Sequence, residues 1–486
     1  MKPIISLLFL IAAASFPLSA DESLYYEVTP FVLPTGEEIE TTGIALMEDG
    51  ALAVSTRRGR IWKVTNALSG DPATMEWSIF AEYLHDPLGL AWRDGWLYAT
   101  QRPEVTRMRD SDGDGAADVF VTVADGWGIS GDYHEYNFGS RFDDQGNLYA
   151  ALCLTGSSRV AALYRGWVVK VDPRGAVTPL ASGVRSPGGI GFNPQGDIFY
   201  TDNQGVWNGS SSLKWVKPGS FLGNPNGNVF AARDSDKSIV EPSFTEQGRL
   251  HEAMETVTDL IPPAVIFPHN RLGASPTGIE PDLSEGKFGP FAGQLFVAEQ
   301  TNSMVQRVFL EKIGGLYQGV AFPFLKGFRS GNVGLFLSDD GVMFTGGTNR
   351  SWGARGPDSS SLERIRWTGK TPFEVHEMRV TRDGFELRFT EPIDPDTAVS
   401  ESFACEAFTY EYGKLYGSPE VDAFDPTIAV NSVSEDQMTV KLTVEPMTLG
   451  HVYAFNNGGL RSESGLPLLH PEAYYTLNAL PQASTP

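Results

Sequence analysis

The stretch QGNLYAAL, residues 145–152, contains the feature that decides the fold: a turn ending in glycine, followed by a short apolar strand. A turn glycine followed by alternating apolar residues is typical of a β-hairpin. Five other stretches repeat the pattern: DGALAV at 49–54, DGWLYAT at 94–100, QGDIFYTD at 195–202, AGQLFVAE at 292–299 and DGVMFTG at 340–346. Repetition of one hairpin unit along a chain predicts a radial or stacked repeat architecture.

The spacing of the turn glycines predicts one four-stranded blade for each copy. The glycines at positions 50, 95, 146, 196, 293 and 341 lie 45 to 51 residues apart, apart from one gap of 97. A four-stranded propeller blade takes about 40–50 residues. The long gap holds either a degenerate seventh blade or an insertion, and the glycine of SFTEQGRLHEAMETVTDL (243–260) precedes no apolar strand. We therefore predict an all-β, six-bladed β-propeller with an insertion at about 217–275 and its functional site at the central mouth.

The length and composition predict two domains. The chain of 486 residues exceeds one ordinary core, and its 52 glycines and 32 prolines indicate a turn-rich all-β protein. The polar residues 21–41 form a lead-in, and the propeller occupies 42–370. From residue 371 to 486 several short strand patterns recur, which predicts a small immunoglobulin-like β-sandwich that acts as a spacer or as a cap on the propeller.

Residues 1–20 predict a secretory signal peptide. Lys2 supplies the positive start, an apolar run extends from Ile4 to Phe16, and Ala20 is a small residue at the expected cleavage site. The apolar run is short for a membrane span, and no second long run follows. We expect a periplasmic or secreted protein without membrane insertion.

The charge and the cysteines exclude several classes of partner. The formal net charge of −23 opposes binding to nucleic acid or to anionic lipid. Cys153 and Cys405 fall in different predicted domains, so two separate buried thiols are favoured over a disulfide. The sequence contains no C-x-x-C-H, which excludes covalent c-type haem on this chain.

The sharpest local motif is DSDGDGAAD, residues 110–118. Carboxylates at alternate positions, with glycine permitting a tight turn, can converge on one hard cation. The predicted Ca²⁺ ligands are Asp110, Asp112, Asp114 and Asp118. The last ligand position of a full EF-hand holds Val121, so a solvated acidic turn is the alternative. Because the loop joins blade strands, a metal here is structural rather than catalytic.

A second constellation, Asp132-Tyr133-His134-Glu135, lies just before the third repeat. A histidine beside an aspartate can act as an oriented general base, because its ordinary pKa lies near neutrality. His134 and Asp132 are therefore candidate catalytic residues. A hydrogen-bonded structural histidine is the alternative.

Polar and cationic residues recur where the chain enters or leaves the other repeats. Arginine can hold a carboxylate in a bidentate fork, and several cations aimed at one mouth of an acidic protein suggest an anionic ligand. The candidates for binding a cofactor are Arg185, Asp202, Asn203, Gln204, Arg271 and Arg350. Each arginine alone could equally be a tether between blades.

Two of these stretches resemble a known family. HEYNFGSRFDDQGNLYAAL (134–152) and GVRSPGGIGFNPQGDIFYTDNQG (183–205) resemble phrases of the glucose/sorbosone dehydrogenase family of soluble quinoproteins. The resemblance implies a six-bladed propeller whose mouth holds pyrroloquinoline quinone on Ca²⁺. It implies that His134 takes the proton of a sugar hydroxyl, that Arg185 lies against the quinone as a further catalytic residue and that residues 202–205 line the Ca²⁺ and cofactor site. On the same basis Arg350 would clamp a carboxylate.

A second resemblance covers most of the mature chain. TQRPEVTRMRDSDGDGAAD (100–118), KFGPFAGQLFVAEQTNSMVQRVFLE (287–311) and GGTNRSWG (346–353) resemble the exported propeller of multidomain proteins named membrane-bound dehydrogenases or haem-binding propeller proteins. Those proteins often carry a C-terminal cytochrome c module, which this sequence lacks. The resemblance implies the fold more firmly than the activity.

Three functions remain open from the sequence. The first is an exported quinoprotein-like oxidoreductase that acts on sugar or sugar-derived alcohol groups and passes electrons to a separate carrier such as a cytochrome c. The second is a propeller that binds a carbohydrate or a protein without catalysis. The third is a metal-dependent hydrolase or lactonase, for which Glu299, Asn203 and Asp202 are ligands of suitable type.

Overall fold

The computed structural model describes residues 22–71, 75–231, 247–257 and 259–482, and the expected signal peptide lies outside them. The strands before residue 370 are β1 (Tyr26–Pro30), β2 (Thr41–Leu46), β3 (Leu52–Thr56), β4 (Ile61–Val64), β5 (Trp77–Ala81), β6 (Leu90–Arg93), β7 (Trp96–Thr100), β8 (Val105–Arg109), β9 (Val119–Ala124), β10 (Asn137–Phe142), β11 (Leu148–Leu152), β12 (Trp167–Val171), β13 (Val177–Ser182), β14 (Pro187–Phe192), β15 (Ile198–Asp202), β16 (Ser211–Trp215), β17 (Gln247–Gly248), β18 (Val265–Phe267), β19 (Pro276–Pro281), β20 (Leu295–Glu299), β21 (Met304–Ile313), β22 (Leu316–Lys326), β23 (Asn332–Leu337), β24 (Val342–Thr348) and β25 (Ser360–Trp367). The later strands are β26 (Val375–Val380), β27 (Gly384–Phe389), β28 (Ala404–Tyr410), β29 (Tyr412–Gly413), β30 (Glu420–Phe424), β31 (Thr427–Val433), β32 (Thr439–Glu445), β33 (His451–Asn456) and β34 (Glu472–Leu477). The helical segments include α1 (Leu250–Thr256) and 3-10 turns at Glu22–Leu24, Pro225–Phe230, Pro395–Thr397 and Ser400–Ser402.

Of the first twenty-five strands, all but β17 build a ring of antiparallel sheets, and β17 pairs with β29 of the C-terminal region. Within the described residues, the four-stranded units are β2–β5, β6–β9, β10–β13, β14-β15-β16-β18, β19–β22 and β23-β24-β25-β1. Their first strands contact one another in the order β2, β6, β10, β14, β19 and β23, and β23 contacts β2 again. A closed ring of meandering sheets is the arrangement of a β-propeller, which confirms the predicted nearly all-β class.

Local turn chemistry explains why the repeated phrase forms a hairpin. Gly146 and Gly196 both have φ of +82°, a conformation that side chains rarely adopt. Before each glycine a short polar side chain holds the turn: Asp143 Oδ1 accepts from the N–H of Asn147 at 2.8 Å, and Asn193 Oδ1 accepts from the N–H of Asp197 at 2.8 Å. These turns fix the register of the apolar strand that follows.

The first strand closes the ring, which the sequence did not predict. The lead-in expected at 21–41 contains β1, which pairs with β25 from Tyr26↔Trp367 to Pro30↔Glu363. Tyr26 is 2% exposed and packs against Phe288 and Phe324. The chain thus supplies the outer strand of its last sheet from its beginning. The pattern YEVTP is too short to give a periodic signal. Its partner strand lies more than 300 residues away, so no neighbouring sequence indicates the pairing either.

The long gap between repeats contains an insertion that interrupts one sheet. After β16 the chain forms the 3-10 turn, β17 and α1, and then returns as β18, which pairs with β16. The insertion predicted at about 217–275 therefore includes β18, which is a strand of the sheet itself. Its three residues are too few to show apolar alternation in the sequence. The described residues of this gap contain no further four-stranded sheet.

The C-terminal region shares a sheet and a core with the propeller. Strand β22 pairs with β34 through Gly319↔Thr476 and Val320↔Tyr475, so the fifth sheet continues through β34 into β33, β28 and β30. The sheet β26-β27-β32-β31 packs on it across an apolar core that includes Phe322 of β22 and Phe385 of β27. The region is therefore not a tethered spacer: long strands β21 and β22 extend out of the ring and form part of both domains.

Two smaller predictions concern the thiols and the membrane. Cys153 and Cys405 are free, as expected from their places in different parts of the chain. Among the described residues, no helix has the length and apolar character needed to cross a bilayer.

Candidate functional site

The mouth of the ring is the face where the second strand of each sheet ends. The pairings Thr41↔Thr56 and Asn137↔Leu152 place the start of each first strand beside the end of the second. The residues seven positions after the turn glycines all lie at or just after the end of a second strand on this face: Arg57, Arg102, Cys153, Asn203, Gln300 and Thr348. This register is a signal that could have identified Arg57 and Arg102 from the sequence.

The channel below the mouth is too narrow for a ligand. The first strands leave a cavity of about 30 Å³, lined largely by glycine and apolar residues. At the mouth end an apolar cluster closes it, formed by Leu88, Tyr136, Phe138, Cys153 and Val333 with Trp352 packed against them. The channel therefore has no room for a small-molecule ligand, and Tyr136 and Trp352 form the floor of the mouth above it.

His134 lies on this face, half-buried, just before β10. Its ring contacts the rings of Tyr133 and Tyr136, with centroids 4.2 and 6.3 Å away. Burial lowers the pKa of His134 below its ordinary value; Asp132 opposes the shift, and Arg185 and Arg102 add to it. The imidazole is therefore neutral near pH 7 and able to accept a proton.

The predicted pairing of Asp132 with the His134 imidazole is not formed. Oδ1 of Asp132 accepts from the backbone N–H of His134 at 2.9 Å and of Gly156 at 3.1 Å. Oδ2 lies 3.2 Å from a guanidinium nitrogen of Arg159. An aspartate two residues before an amide closes a local Asx turn more readily than it reaches the ring. Asp132 thus holds the loop, and no carboxylate among the described residues is hydrogen-bonded to the His134 ring to fix its tautomer.

A buried pair that the sequence analysis missed supports this loop from below. Glu135 is fully buried and accepts from Ser130 and Thr155 hydroxyls at 2.8 and 2.6 Å. Arg165, also fully buried, donates to Asn137 Oδ1 at 2.7 Å and to the carbonyl of Glu135 at 3.0 Å. The surrounding hydrogen bonds and Arg165 outweigh burial and lower the pKa of Glu135. The pair fixes the backbone on which His134 sits.

Guanidinium groups surround the aromatic floor of the mouth. Arg57 lies over the ring of Trp352 at 4.6 Å, and Arg102 lies over the ring of Tyr136 at 4.9 Å. Arg102 also pairs with Asp86 at 2.7 Å. Nη1 of Arg57 is buried without a hydrogen-bond partner among the described residues. Arg57 in turn lies 3.8 Å from Glu40, so the cluster offers guanidinium donors to an anion without a local excess of positive charge.

Arg185 is 4% exposed and turns toward the loop after β15. Its Nη1 donates to the carbonyls of Asn203 at 3.2 Å and Gln204 at 2.6 Å. Gly205 approaches so closely that a Cβ there would lie 2.0 Å from the guanidinium carbon. Nε of Arg185 has no partner among the described residues. The guanidinium therefore ties the loop to the mouth and keeps one donor unused.

Asp202 does not face the mouth. Its Oδ2 accepts from Lys214 Nζ at 3.0 Å and from the Tyr200 hydroxyl at 3.0 Å, and its Oδ1 accepts from the N–H of Ser186 at 2.8 Å. The carboxylate and the ammonium are both buried. Asp202 thus forms a buried ion pair inside the fourth sheet. Its partner Lys214 lies in the neighbouring strand β16, and no local sequence pattern indicated this pairing.

The two remaining predicted arginines are paired with carboxylates. Arg271 contacts Glu406 at 2.7 Å and Glu420 at 2.5 Å, both in the C-terminal region, and is a tether rather than a mouth cation. Arg350 forms an ion pair with Glu38 on the mouth side. Both partners in the Arg350 pair are more than a third exposed, so this pair is weak and exchangeable.

A polar cavity of about 260 Å³ opens beside Arg185. It is lined by Asn203, Gln204, His269, Asn270, Ala274, Ser275, Thr301, Asn302, Arg355 and Tyr416. Oδ1 of Asn203 and Nδ1 of His269 are buried there without hydrogen-bond partners in the described part of the chain. Amides, hydroxyls, one guanidinium and one aromatic ring are the groups that bind a polyhydroxylated molecule.

The acidic motif lies on the opposite face, in the loop between β8 and β9. Carboxylate oxygens of Asp110, Asp112 and Asp114 lie within 4.8 Å of one another. Asp118 is not in this group, because its two oxygens accept from the amide and the hydroxyl of Ser111 at 2.7 and 2.6 Å. These hydrogen bonds lower its pKa and close the loop. The geometry brings together three of the four predicted ligands.

The residues proposed for a hydrolytic metal are not available to one. Glu299 is fully buried, and its carboxylate accepts from the amides of Ala274, Ser275 and Asn302. Asp202 is held by Lys214 as described above. A metal at the mouth would therefore lack anionic ligands from these positions.

The residues at the mouth fit only part of the quinone and Ca²⁺ site that the sequence resemblance implies. For the quinone, Arg57 and Arg350 offer guanidinium donors to carboxylates, and Arg57 has an unpaired one. For the ion, the carbonyls of Asn203 and Gln204 already accept from Arg185, and a guanidinium at that point repels a second cation. The residues fit the anionic group, and as arranged they do not fit Ca²⁺ at 202–205.

Comparison with known proteins identifies a family model that matches the chain and solved structures with a similar fold. The family model described as Domain of unknown function (DUF7133) matches residues 44–322. An oxidoreductase from Thermus thermophilus, described as a glucose dehydrogenase, has a similar structure with a TM-score of 0.50 and 19% identity over 70% of this chain and 99% of that one. A Trichoderma reesei carbohydrate-active enzyme of family AA12 has a TM-score of 0.50 and 12% identity over 71% and 96%. No curated protein matches the sequence. At these identities the likeness concerns the fold alone.

Proposed function

The chain belongs to the DUF7133 family, and we propose that the mouth of its propeller oxidises an alcohol group of a sugar or sugar-derived polyol, as a quinoprotein-like oxidoreductase. The proposal takes the ring as six-bladed and the C-terminal region as an immunoglobulin-like sandwich. The observation that carries it is His134, a half-buried imidazole on the mouth face whose pKa is lowered by burial and further by Arg185 and Arg102. A base beside guanidinium groups suits the removal of a hydroxyl proton.

The neighbouring groups assist the same step. Burial lowers the pKa of His134, and the charges of Arg185 and Arg102 lower it further, so that the ring is unprotonated when the substrate arrives. Their charge also stabilises the alkoxide that develops as the proton leaves. Tyr136 and Trp352 exclude water from the channel side of the site. The proton goes to a ring nitrogen of His134, and a bound two-electron acceptor would be needed to take the hydride.

The acceptor in this proposal is pyrroloquinoline quinone, which supplies a two-electron acceptor when bound. Arg57 and Arg350 would hold its carboxylates, the latter in exchange for Glu38. Because Arg185 occupies the two loop carbonyls, binding of the quinone is expected to be independent of Ca²⁺. Electrons then leave to a separate carrier, and a signal peptide at 1–20 would place the reaction in the periplasm or outside the cell.

Calcium has a separate, structural place in the proposal. Asp110, Asp112 and Asp114 converge within 4.8 Å on the face opposite the mouth, which suits one Ca²⁺ ion bracing the β8–β9 loop. This ion takes no part in the chemistry. Its effect is expected on stability and not on ligand binding.

The test is calorimetric titration of the mature chain with pyrroloquinoline quinone, in the presence of either excess Ca²⁺ or a chelator. We expect saturable binding under both conditions, weakened about two- to fivefold in Arg350→Gln, since a charge pair at a side chain more than a third exposed is worth up to about 1 kcal/mol. The matched control is Arg174→Gln, which removes the same charge from a turn on the opposite face, where the side chain is 89% exposed. His134→Gln should bind the quinone and fail to oxidise aldoses with an artificial acceptor.

Other outcomes would replace the proposal. If the quinone does not bind in either condition, but sugars do, the mouth is a non-catalytic carbohydrate-binding site, which the amide-lined cavity beside Arg185 also suits. If binding requires Ca²⁺, Arg185 must leave the carbonyls of Asn203 and Gln204, and the assignment of that residue is wrong.

A further inference from the structure

The turn between β29 and β30 brings the C-terminal region to the mouth. Gly417 donates its N–H to the Gly205 carbonyl at 3.1 Å, and Trp207 donates its N–H to the Gly413 carbonyl at 2.7 Å. The rings of Trp207 and Tyr412 lie 5.0 Å apart. The turn is therefore fixed on the loop that Arg185 holds.

The fit of this turn is close. Gly417 has φ of +67°, and a Cβ there would lie 2.6 Å from the side chain of Gln204. Glycine adopts this left-handed conformation without strain, whereas a larger residue would be strained there and the Gln204 side chain would have to move. The turn thus lies in direct contact with the loop after β15.

This close fit holds one aromatic ring at the edge of the cavity. Tyr416 pairs with Val206 by a β-bridge and lies 5.0 Å over the guanidinium of Arg185, yet its side chain is 71% exposed. Its ring lines the 260 Å³ cavity opposite Thr301 and Asn302. A large ring on a fixed backbone loses little further conformational freedom when a ligand packs on it.

We propose that Tyr416 is a specificity-determining residue of the ligand site: the C-terminal region supplies an aromatic wall on which the ring of a sugar packs, while the propeller supplies the hydrogen bonds. The apolar C–H face of a pyranose suits an aromatic ring, and the amides of Asn203 and Asn302 suit its hydroxyls. The ligand class is a neutral, cyclic sugar unit rather than a linear polyol. The inference rests on the proposed function for the identity of the ligand as a sugar.

The chemistry of the wall explains the choice between cyclic and linear ligands. A linear polyol offers no flat apolar face, so it gains the hydrogen bonds without the contact to Tyr416. The cation–π contact with Arg185 also orients the Tyr416 ring and leaves its other face to solvent. That free face is where the sugar packs.

The experiment is direct binding of D-glucose, methyl β-D-glucoside and sorbitol to the full mature chain, measured by saturation-transfer NMR and calorimetry. We expect the two cyclic probes to bind more tightly than sorbitol. Tyr416→Ala should weaken the cyclic probes about three- to tenfold, as expected for loss of an aromatic packing contact. Tyr416→Trp should retain binding, and sorbitol should be unaffected by either change.

The control is Leu415→Ala, which truncates an exposed neighbour in the same turn, where the side chain is 60% exposed. It should bind all three probes as the wild-type chain does. If the wild type binds the cyclic probes and Tyr416→Ala binds them equally well, this inference is overturned and the proposed function stands. If no probe binds the wild type, the sugar site and this inference both fall.

Discussion

His470 joins three distant parts of the chain and makes their association sensitive to pH. Its Nδ1 lies 2.6 Å from Glu374, at the junction between propeller and C-terminal region, and its Nε2 lies 3.1 Å from Glu22, ahead of β1. All three side chains are buried. Burial alone lowers the pKa of the imidazole, but Glu374 and Glu22 outweigh it and raise the pKa of His470 to about 9.

The direction of the pH effect follows from this shift. In the unfolded chain the histidine has a pKa of about 6.5, so the folded state holds its proton more tightly. The stabilisation is fully present below about pH 6.5 and is lost as the pH rises through about 9. At about 1.4 kcal/mol for each pKa unit, the loss between these values is about 3 kcal/mol.

The perturbation that isolates the effect is Glu374→Gln. It removes one of the two carboxylates, keeps the size of the side chain and should return the pKa of His470 toward its ordinary value. The free energy of unfolding in urea, measured from about pH 6 to about pH 9.5, should fall steeply for the wild type and by less than half as much for the variant. Burial also raises the pKa values of Cys153 and Cys405, which lowers stability at high pH, but both chains share these thiols.

An independent readout is the histidine resonance itself. In selectively labelled protein, the His470 imidazole, assigned by its loss in His470→Gln, should titrate near pH 9 and move to lower pH in Glu374→Gln. Parallel stability curves for wild type and variant, or a His470 resonance that titrates near about 6.5, would refute the reasoning.

Three further predictions concern packing, metal binding and reactivity. Phe322→Ala should lower the free energy of unfolding by about 3–5 kcal/mol, because this ring lies in the core common to the fifth sheet and the C-terminal region, whereas truncating the 46%-exposed Phe120 should cost under about 0.5 kcal/mol in the same urea titration. Millimolar Ca²⁺ should raise the melting temperature of the wild type and not of Asp112→Asn; equal melting in both would remove the ion from the acidic loop. At pH 8 a thiol reagent should label neither Cys153, whose pKa burial raises to about 11, nor Cys405 until the protein is unfolded, and rapid labelling of the native protein would contradict this.

The repeated hairpin could be predicted from the sequence because its signal is local. Gly146 and the apolar residues after it specify a turn and a strand within a few residues, and six copies at blade spacing specify a ring. His134 and Arg185 were identified in the same way, because they flank the copies. The strand Tyr26–Pro30 and the short strand Val265–Phe267 were missed, since each depends on a partner that the sequence does not mark.

The candidate site, like the fold, was predicted from the sequence only where the signal is local. The sequence by itself determined the repeat, the positions at which residues enter the mouth and the acidic loop, because turn chemistry and alternation act over a few residues. Only the tertiary structure decided which of those residues face a ligand. Asp202 is taken by Lys214 and Arg271 by Glu406, whereas Tyr416 is brought to Arg185 from 231 positions away. Partners of a charge or a ring are chosen by distance in space, and packing between strands and domains sets that distance.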